Sequence, residues 1–316
     1  MRILICHRPG GAFGYITDSW INALLDRGHI VVRWDGNKAS WDKFNPDLYI
    51  GCSGHRQPIP TERKAKIAIH VNPYGPVEVK GINERQESIE WVLRQRPDVV
   101  FGYGFEDDRL LWDYWTSRHD IPWVPMPTAG DKVIYKMVVD PESRDTDVVY
   151  LGGKWDYKAE TIDAFLTPVL EDTRISHKLY GWGSWSPGIC SGILPEDRVT
   201  SFFNTGRVAP CIAEKHTHTS GIDVPERVFK VALCGALPIH DAVPALAKQI
   251  PNLPIAGTPA EYHSMCYEYS RDDSLRERTK LVNSIRNHIL NNHTYHHRLS
   301  GLFKALDFDQ QAVEML

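Results

Sequence analysis

The sequence predicts an α/β protein built from two parallel-sheet units, and three observations carry that expectation. Short apolar runs of strand length alternate with amphipathic stretches of helix length. The alternation breaks in a proline-rich segment, PWVPMP at 122–127, and then restarts. At 316 residues the chain is long enough for two cores. In sheets of this kind ligands lie outside the carboxyl ends of the strands, so the loops there are where function is sought.

The first half reads as follows. Residues 2–6 form a buried strand, and HRPGGAFGY turns into a helix over 16–27. That helix sets Ile16, Trp20, Ala23 and Leu24 on one face and stops at Gly28. Runs 30–34, 47–51, 67–70 and 98–101 are strands, and 84–95 is a helix. The carboxyl-end loops are 7–15, 52–58, 70–76 and 102–108, rich in glycine, histidine and acids. Segment 122–127 reads as a connection, with a hinge near 127–136.

In the second half, 148–151 is a strand, GGKWDYK a loop and 161–170 a helix. Run 177–180 is a strand followed by GWGSW, 196–204 is helical and 208–212 is a strand, with EKHTHTSGID as the loop after it. PERVFKVALCGALPIHD organises this half. Pro225 suits a first helical turn, Val228, Val231 and Ala232 share an apolar face, Gly235 closes the helix, and 236–239 is a strand ending at His240 and Asp241. A last helical stretch covers about 274–306. The domains are expected at 1–130 and 131–316, facing each other across a cleft, with that last helix closing back toward the first.

Composition narrows the function classes. A net charge of −4 gives no overall basic balance for a nucleic-acid or membrane module, although Arg56, Arg63, Lys64 and Lys66 form a local basic patch. Six scattered cysteines without a CxxC pair read as reduced buried thiols, and no apolar run is long enough to span a membrane. A cytoplasmic protein is expected.

Gly10, Gly11 and Gly14 allow close backbone approach to a phosphate or sugar, or serve a tight turn. G-x-G-x-x-G is missing, which argues against a dinucleotide oxidoreductase. Lys154 and Lys158 flank the turn after Gly153 and suit a diphosphate, or are solvated surface. Glu226, Arg227 and Lys230 mark the start of the organising helix, where the dipole also favours phosphate, or form its solvated first turn. His216 and His218 could share a face in an extended loop but lack a third ligand, and Asp145-Thr146-Asp147 precedes a strand. No metal site is expected.

Taken in order, VVYLGGKWDYK, KLYGWGSW, LPEDRVTSFFN, PERVFKVALCGALPIHD and HTYHHRLSGLFKAL resemble the GT-B glycosyltransferases, in particular the group 1 transferases and their spore-maturation CgeB-like branch. The resemblance covers 148–306; the first half is similar only in architecture. It implies two Rossmann-like domains and a nucleoside-diphosphate sugar as donor substrate, with no other cofactor. It also places Lys154, Lys158 and Arg227 on the donor diphosphate. Lys230 stands where many of these transferases carry a glutamate that grips the donor ribose, and a lysine cannot accept hydrogen bonds from a diol. Either Glu226 takes that part or Lys230 serves phosphate.

Metal-free transfer would rest on lysine, arginine and helix-start N–H groups, and inversion would need a base. Asp18, His70 and Glu106, all in or near carboxyl-end loops of the first half, are the candidates. A glycan, a protein, a small molecule or a modified DNA base fits as acceptor. The alternatives are a nucleotide- or sugar-binding protein of the same fold and a nucleotide-sugar epimerase. Stereochemistry and oligomeric state are left open.

Overall fold

The computed structural model describes residues 1–7, 11–71, 86–104, 109–220 and 224–308. The chain divides into two compact units, Met1–Thr128 with Tyr295–Leu316, and Ala129–Thr294.

The first unit holds β1 (Arg2–Ile5), β2 (Ile30–Arg33), β3 (Leu48–Cys52), β4 (Lys66–His70), β5 (Val99–Gly102) and β6 (Trp123–Pro125), in the order β2-β1-β3-β4-β5-β6. The second holds β7 (Thr146–Leu151), β8 (His177–Tyr180), β9 (Gly206–Cys211), β10 (Leu237–Asp241) and β11 (Ile255–Ala256), in the order β11-β10-β9-β7-β8. Every neighbouring pair is parallel. Strands β3, β5 and β10 are buried along their whole length, as sheets covered on both faces require. The two Rossmann-like sheets share one connectivity. In each, the first strand sits between the second and the third, so the order reverses at β1/β3 in one unit and at β7/β9 in the other. Such switch points open a crevice at the carboxyl ends.

Several boundaries differ from the sequence expectation. Residues 123–125 are not a bare connection but β6, the edge of the first sheet, where proline's missing donor is tolerated. The first helix begins at Gly11, not at 16, so Gly11 (φ 62°) and Gly14 lie in its first turns. GGKWDYK is not all loop: a helix starts at Asp156, an acid favoured in a first turn, and carries Lys158 inward. EKHTHTSGID is not all extended loop: it contains the helix Lys215–Ser220.

The stretch 274–306 is two helices, Leu275–Asn292 in the second unit and Tyr295–Ala305 in the first. The break falls where Gly130 N–H bonds the His293 carbonyl (2.8 Å). Tyr295–Ala305 then packs on the Gly11–Asp26 helix. Asp26 accepts from His296 Nε2 (2.8 Å), and the adjacent Arg27 donates to the His296 carbonyl (2.9 Å) and to Ser300 Oγ (2.7 Å).

Candidate functional site

The second unit gathers its charge at the β7/β9 switch point. β7 runs out into Gly152–Gly153–Lys154 and β8 into Gly181–Trp182–Gly183, and the two tails stay paired. Gly152 N–H donates to the Tyr180 carbonyl (3.0 Å) and Lys154 N–H to the Trp182 carbonyl (2.9 Å). The approach leaves no room for side chains. A Cβ on Gly181 would lie 1.9 Å from the Gly152 carbonyl oxygen, and one on Gly183 (φ +96°) 2.0 Å from that of Lys154.

Above this floor sits Arg227, at the start of the helix Arg227–Leu233. Its guanidinium lies 4.8 Å from the centroid of the Tyr150 ring. A Cβ on Gly152 would come within 2.4 Å of its Nη2, so that glycine is what admits it. Burial disfavours the Arg227 charge, but Tyr150, Cys211 and Glu214 around it raise its pKa nonetheless. Lys158 is 6 % exposed. Burial pulls its ammonium down to about 7, with the nearby Arg227 adding to the effect and Glu214 and Asp241 opposing it. Two cations thus share one partly dehydrated place and favour an anion. The helix is only seven residues long, so these side chains carry more of that attraction than its dipole does.

Asp241, at the end of β10, anchors the neighbouring edge. It accepts from Ala213 N–H (3.0 Å), His218 Nε2 (2.9 Å) and His240 Nδ1 (2.6 Å). Burial opposes its ionisation, yet the two imidazoles hold it well below the usual carboxylate range. The Asp241 hydrogen bond raises the His218 pKa. His218 Nδ1 also donates to the Ala242 carbonyl (2.8 Å), so with both nitrogens facing acceptors the charged imidazolium is the favoured form. A cavity of about 330 Å³ opens here, lined by Glu160, Thr161, Lys215, His218, Ala242 and Gly257.

The remaining sequence candidates lie elsewhere. Lys154 pairs with Asp163 and lies 5.9 Å from the Trp185 ring. Gly153 lies under the Trp182 ring, where a Cβ would meet a ring carbon at 2.6 Å. Glu226 and Lys230 pair with each other at 2.9 Å, and Lys230 lies 5.2 Å from the Tyr135 ring. Burial works against the Lys230 charge, but Glu226 outweighs it and raises the pKa. The lysine at 230 therefore neutralises the carboxylate one turn before it.

In the first unit, His70 ends β4, 1 % exposed, with Nδ1 3.1 Å from His7 Nε2 and 3.9 Å from Cys52 Sγ. Burial, then His7, holds its pKa well below the ordinary value, so it is a neutral imidazole. Asp18 is exposed on the Gly11–Asp26 helix and pairs with Arg33 at the end of β2. Glu106 and Gly10 lie outside the described residues. Sequence reasoning did not find Glu214, or the partnership of His7 and Cys52 with His70. The signal for the latter lies in the strands, since each of the three follows or ends one at its carboxyl end.

Residues 161–304 match the family model described as glycosyl transferase-like. Among solved structures, the chain is similar to an α-glucosyltransferase in complex with UDP and a 13-mer DNA (TM-score 0.64, 13 % identity, 98 % of this chain and 100 % of that one). It is also similar to T4 phage BGT in complex with its UDP-glucose substrate (0.60, 13 %, 98 % and 100 %). A third is sucrose-phosphate synthase from Thermosynechococcus elongatus (0.64, 11 %, 96 % and 98 %). The chain has the GT-B fold. No curated protein matches it by sequence. The GT-B likeness extends over both units, whereas the glycosyl transferase-like segment begins inside the second and ends on the helix Tyr295–Ala305. Among the described residues no helix is long and apolar enough to cross a membrane.

Proposed function

We propose that the protein is a glycosyltransferase that takes a sugar from a nucleoside-diphosphate donor held by the second unit and passes it to a hydroxyl acceptor served by the first. The observation that carries this is the pair Lys158 and Arg227 at the glycine-floored end of β7. Their two positive charges, partly desolvated, match a diphosphate and the charge that develops on it as the glycosidic bond breaks. The family model and the motif order at 148–306, which resembles the CgeB-like branch, support the same reading. UDP-glucose is the donor of choice for a first test, because fold neighbours were solved with it or with UDP.

Lys154 joins the diphosphate by exchanging Asp163 for phosphate. Glu226 and Lys230 act together, the paired carboxylate remaining an acceptor for ribose hydroxyls. With these cations the donor needs no metal. Of the described base candidates, Asp18 is exposed and His70 is buried, so Asp18 is the group offered to an acceptor proton. A DNA base offers an acceptor hydroxyl only when modified, and fold neighbours include DNA-modifying glucosyltransferases, so hydroxymethylated DNA belongs in the acceptor panel.

The test is transfer from labelled UDP-glucose to hydroxymethylated DNA, glycans, peptides and small alcohols, with Mn²⁺ or with chelator. Transfer to one acceptor class in chelator, lowered about 100-fold in Asp18→Asn with donor affinity kept, supports the assignment. Donor binding without transfer to any of them would leave a binding protein. Conversion of the donor sugar without an acceptor would make it an epimerase.

A further inference from the structure

Three potential metal ligands meet in the first unit, apart from the donor-type cluster. His7 follows β1, Cys52 ends β3 and His70 ends β4, and these three strands are neighbours in the sheet. Parallel register makes the meeting unavoidable. Ile5 pairs with Ile50 and Cys52 with His70, so all three side chains arrive at one level of the carboxyl edge. Each is buried, at 5, 6 and 1 % exposure, and their ligand atoms lie within 4.8 Å of one another.

We propose that His7, Cys52 and His70 form a transition-metal site of the imidazole–thiolate class, with Zn²⁺ as its natural occupant. Bonds of about 2.0–2.1 Å to nitrogen and about 2.3 Å to sulfur put tetrahedral ligand atoms roughly 3.3–3.6 Å apart. The observed 3.1 Å between the imidazole nitrogens and 3.9 Å from sulfur to His70 straddle that span, so small side-chain rotations bring three ligands onto the ion and leave the fourth tetrahedral position to water. The ligand chemistry suits a borderline-soft ion and excludes calcium or magnesium, which take oxygen.

The surroundings fix the rings. Trp20 meets His7 edge-on at 5.4 Å and His70 at 5.6 Å, while Phe101 and Tyr103 lie 5.3 and 4.8 Å from His70. Aromatic rings packed on the imidazoles fix their orientation and limit solvent access to the one open position. On binding, Cys52 releases its thiol proton to solvent. His7 Nε2 and His70 Nδ1 turn their lone pairs to the ion, so His7 keeps its proton on Nδ1 and His70 on Nε2. His70 Nε2 has no hydrogen-bond partner among the described residues, so that tautomer breaks no bond there. The ion would pin the ends of three strands and keep one exchangeable position.

The experiment is X-ray absorption on the intact protein expressed in zinc-supplemented medium, with cobalt substitution alongside. The expected result is one zinc per chain with one sulfur and two imidazoles in its shell, and a thiolate-to-cobalt charge-transfer band in the Co²⁺ form. Cys52→Ser abolishes that band, and Cys190→Ser, in the other unit, leaves it. A shell without sulfur, protein that carries no zinc, or a band that survives Cys52→Ser overturns the proposal. The absorption measurement needs no variant, so a misfolded Cys52→Ser does not obscure the answer.

Discussion

The two sheets have the same strand connectivity and reverse at equivalent strands, yet their carboxyl ends are chemically opposite. At the β1/β3 end two imidazoles and a thiol meet under aromatic rings, and burial keeps His70 neutral. At the β7/β9 end two basic side chains and an ionised carboxylate meet over a glycine floor; Arg227 and Asp241 keep their charges against burial, while burial pulls Lys158 down to about 7. One topology thus carries two sets of side chains, and the residues that end each strand decide whether its carboxyl end gathers imidazole and thiol or charged groups. Fold alone says neither.

The contrast is broken most severely by removing the glycine floor. Gly181→Ala drives a methyl into the Gly152 backbone, and we expect a loss of about 3 kcal/mol of stability in the second unit, seen as a lower melting temperature. Amide exchange in the first unit should be unchanged. Next in size, Lys158→Met or Arg227→Met should weaken UDP binding about 100-fold by calorimetry while the fold is kept, because replacing a buried charge with an apolar chain is often tolerated.

pH sharpens the same comparison, with opposite signs. In the first unit burial, then the N-terminus and Arg27, depress His29 to about 4, so it contributes stability above its unfolded value of 6.5 that is lost as pH falls toward 4. This is on the order of 2 kcal/mol by pH 5. In the second unit His218 is raised by Asp241, so its contribution is complete below 6.5 and is lost as pH rises through its folded value. Exchange measured from pH 8 to 5 should show the first unit loosening, while in the second His218 tightens the fold and Lys158, near 7, opposes it; the His218 part is the difference between the second unit's profile and that of His218→Gln, with the first unit's profile unmoved. The smallest effect is protonic. Lys158, near 7 when free, is driven to its charged form by a diphosphate, so UDP binding at pH 8 should take up a fraction of a proton, absent in Lys158→Met.

Strand periodicity made the two parallel sheets legible, and five motifs in order pointed to the fold. Boundaries that depend on tertiary packing were not legible. The helix at Gly11 opens through a glycine-rich run, and Lys158 reads as exposed until its helix turns it inward. The Pro259–Ser270 helix was missed although Thr258 and Glu261 spell a capping box, which the structure forms. Of the candidate site, Arg227 and Lys158 converge, while Lys154 and Lys230 turn to local carboxylates, a choice set by partners distant from them or one turn away. His7, Cys52 and His70 lie 45 and 18 residues apart, and only sheet register joins them.

The most direct test of the account is amide exchange of the whole protein with and without saturating UDP-glucose. Protection should concentrate at 152–158, 181–184 and 227–230, and vanish in Arg227→Met at the same donor concentration. Protection confined to the ends of β1, β3 and β4, or none anywhere, would contradict the claim that the second unit holds the nucleotide.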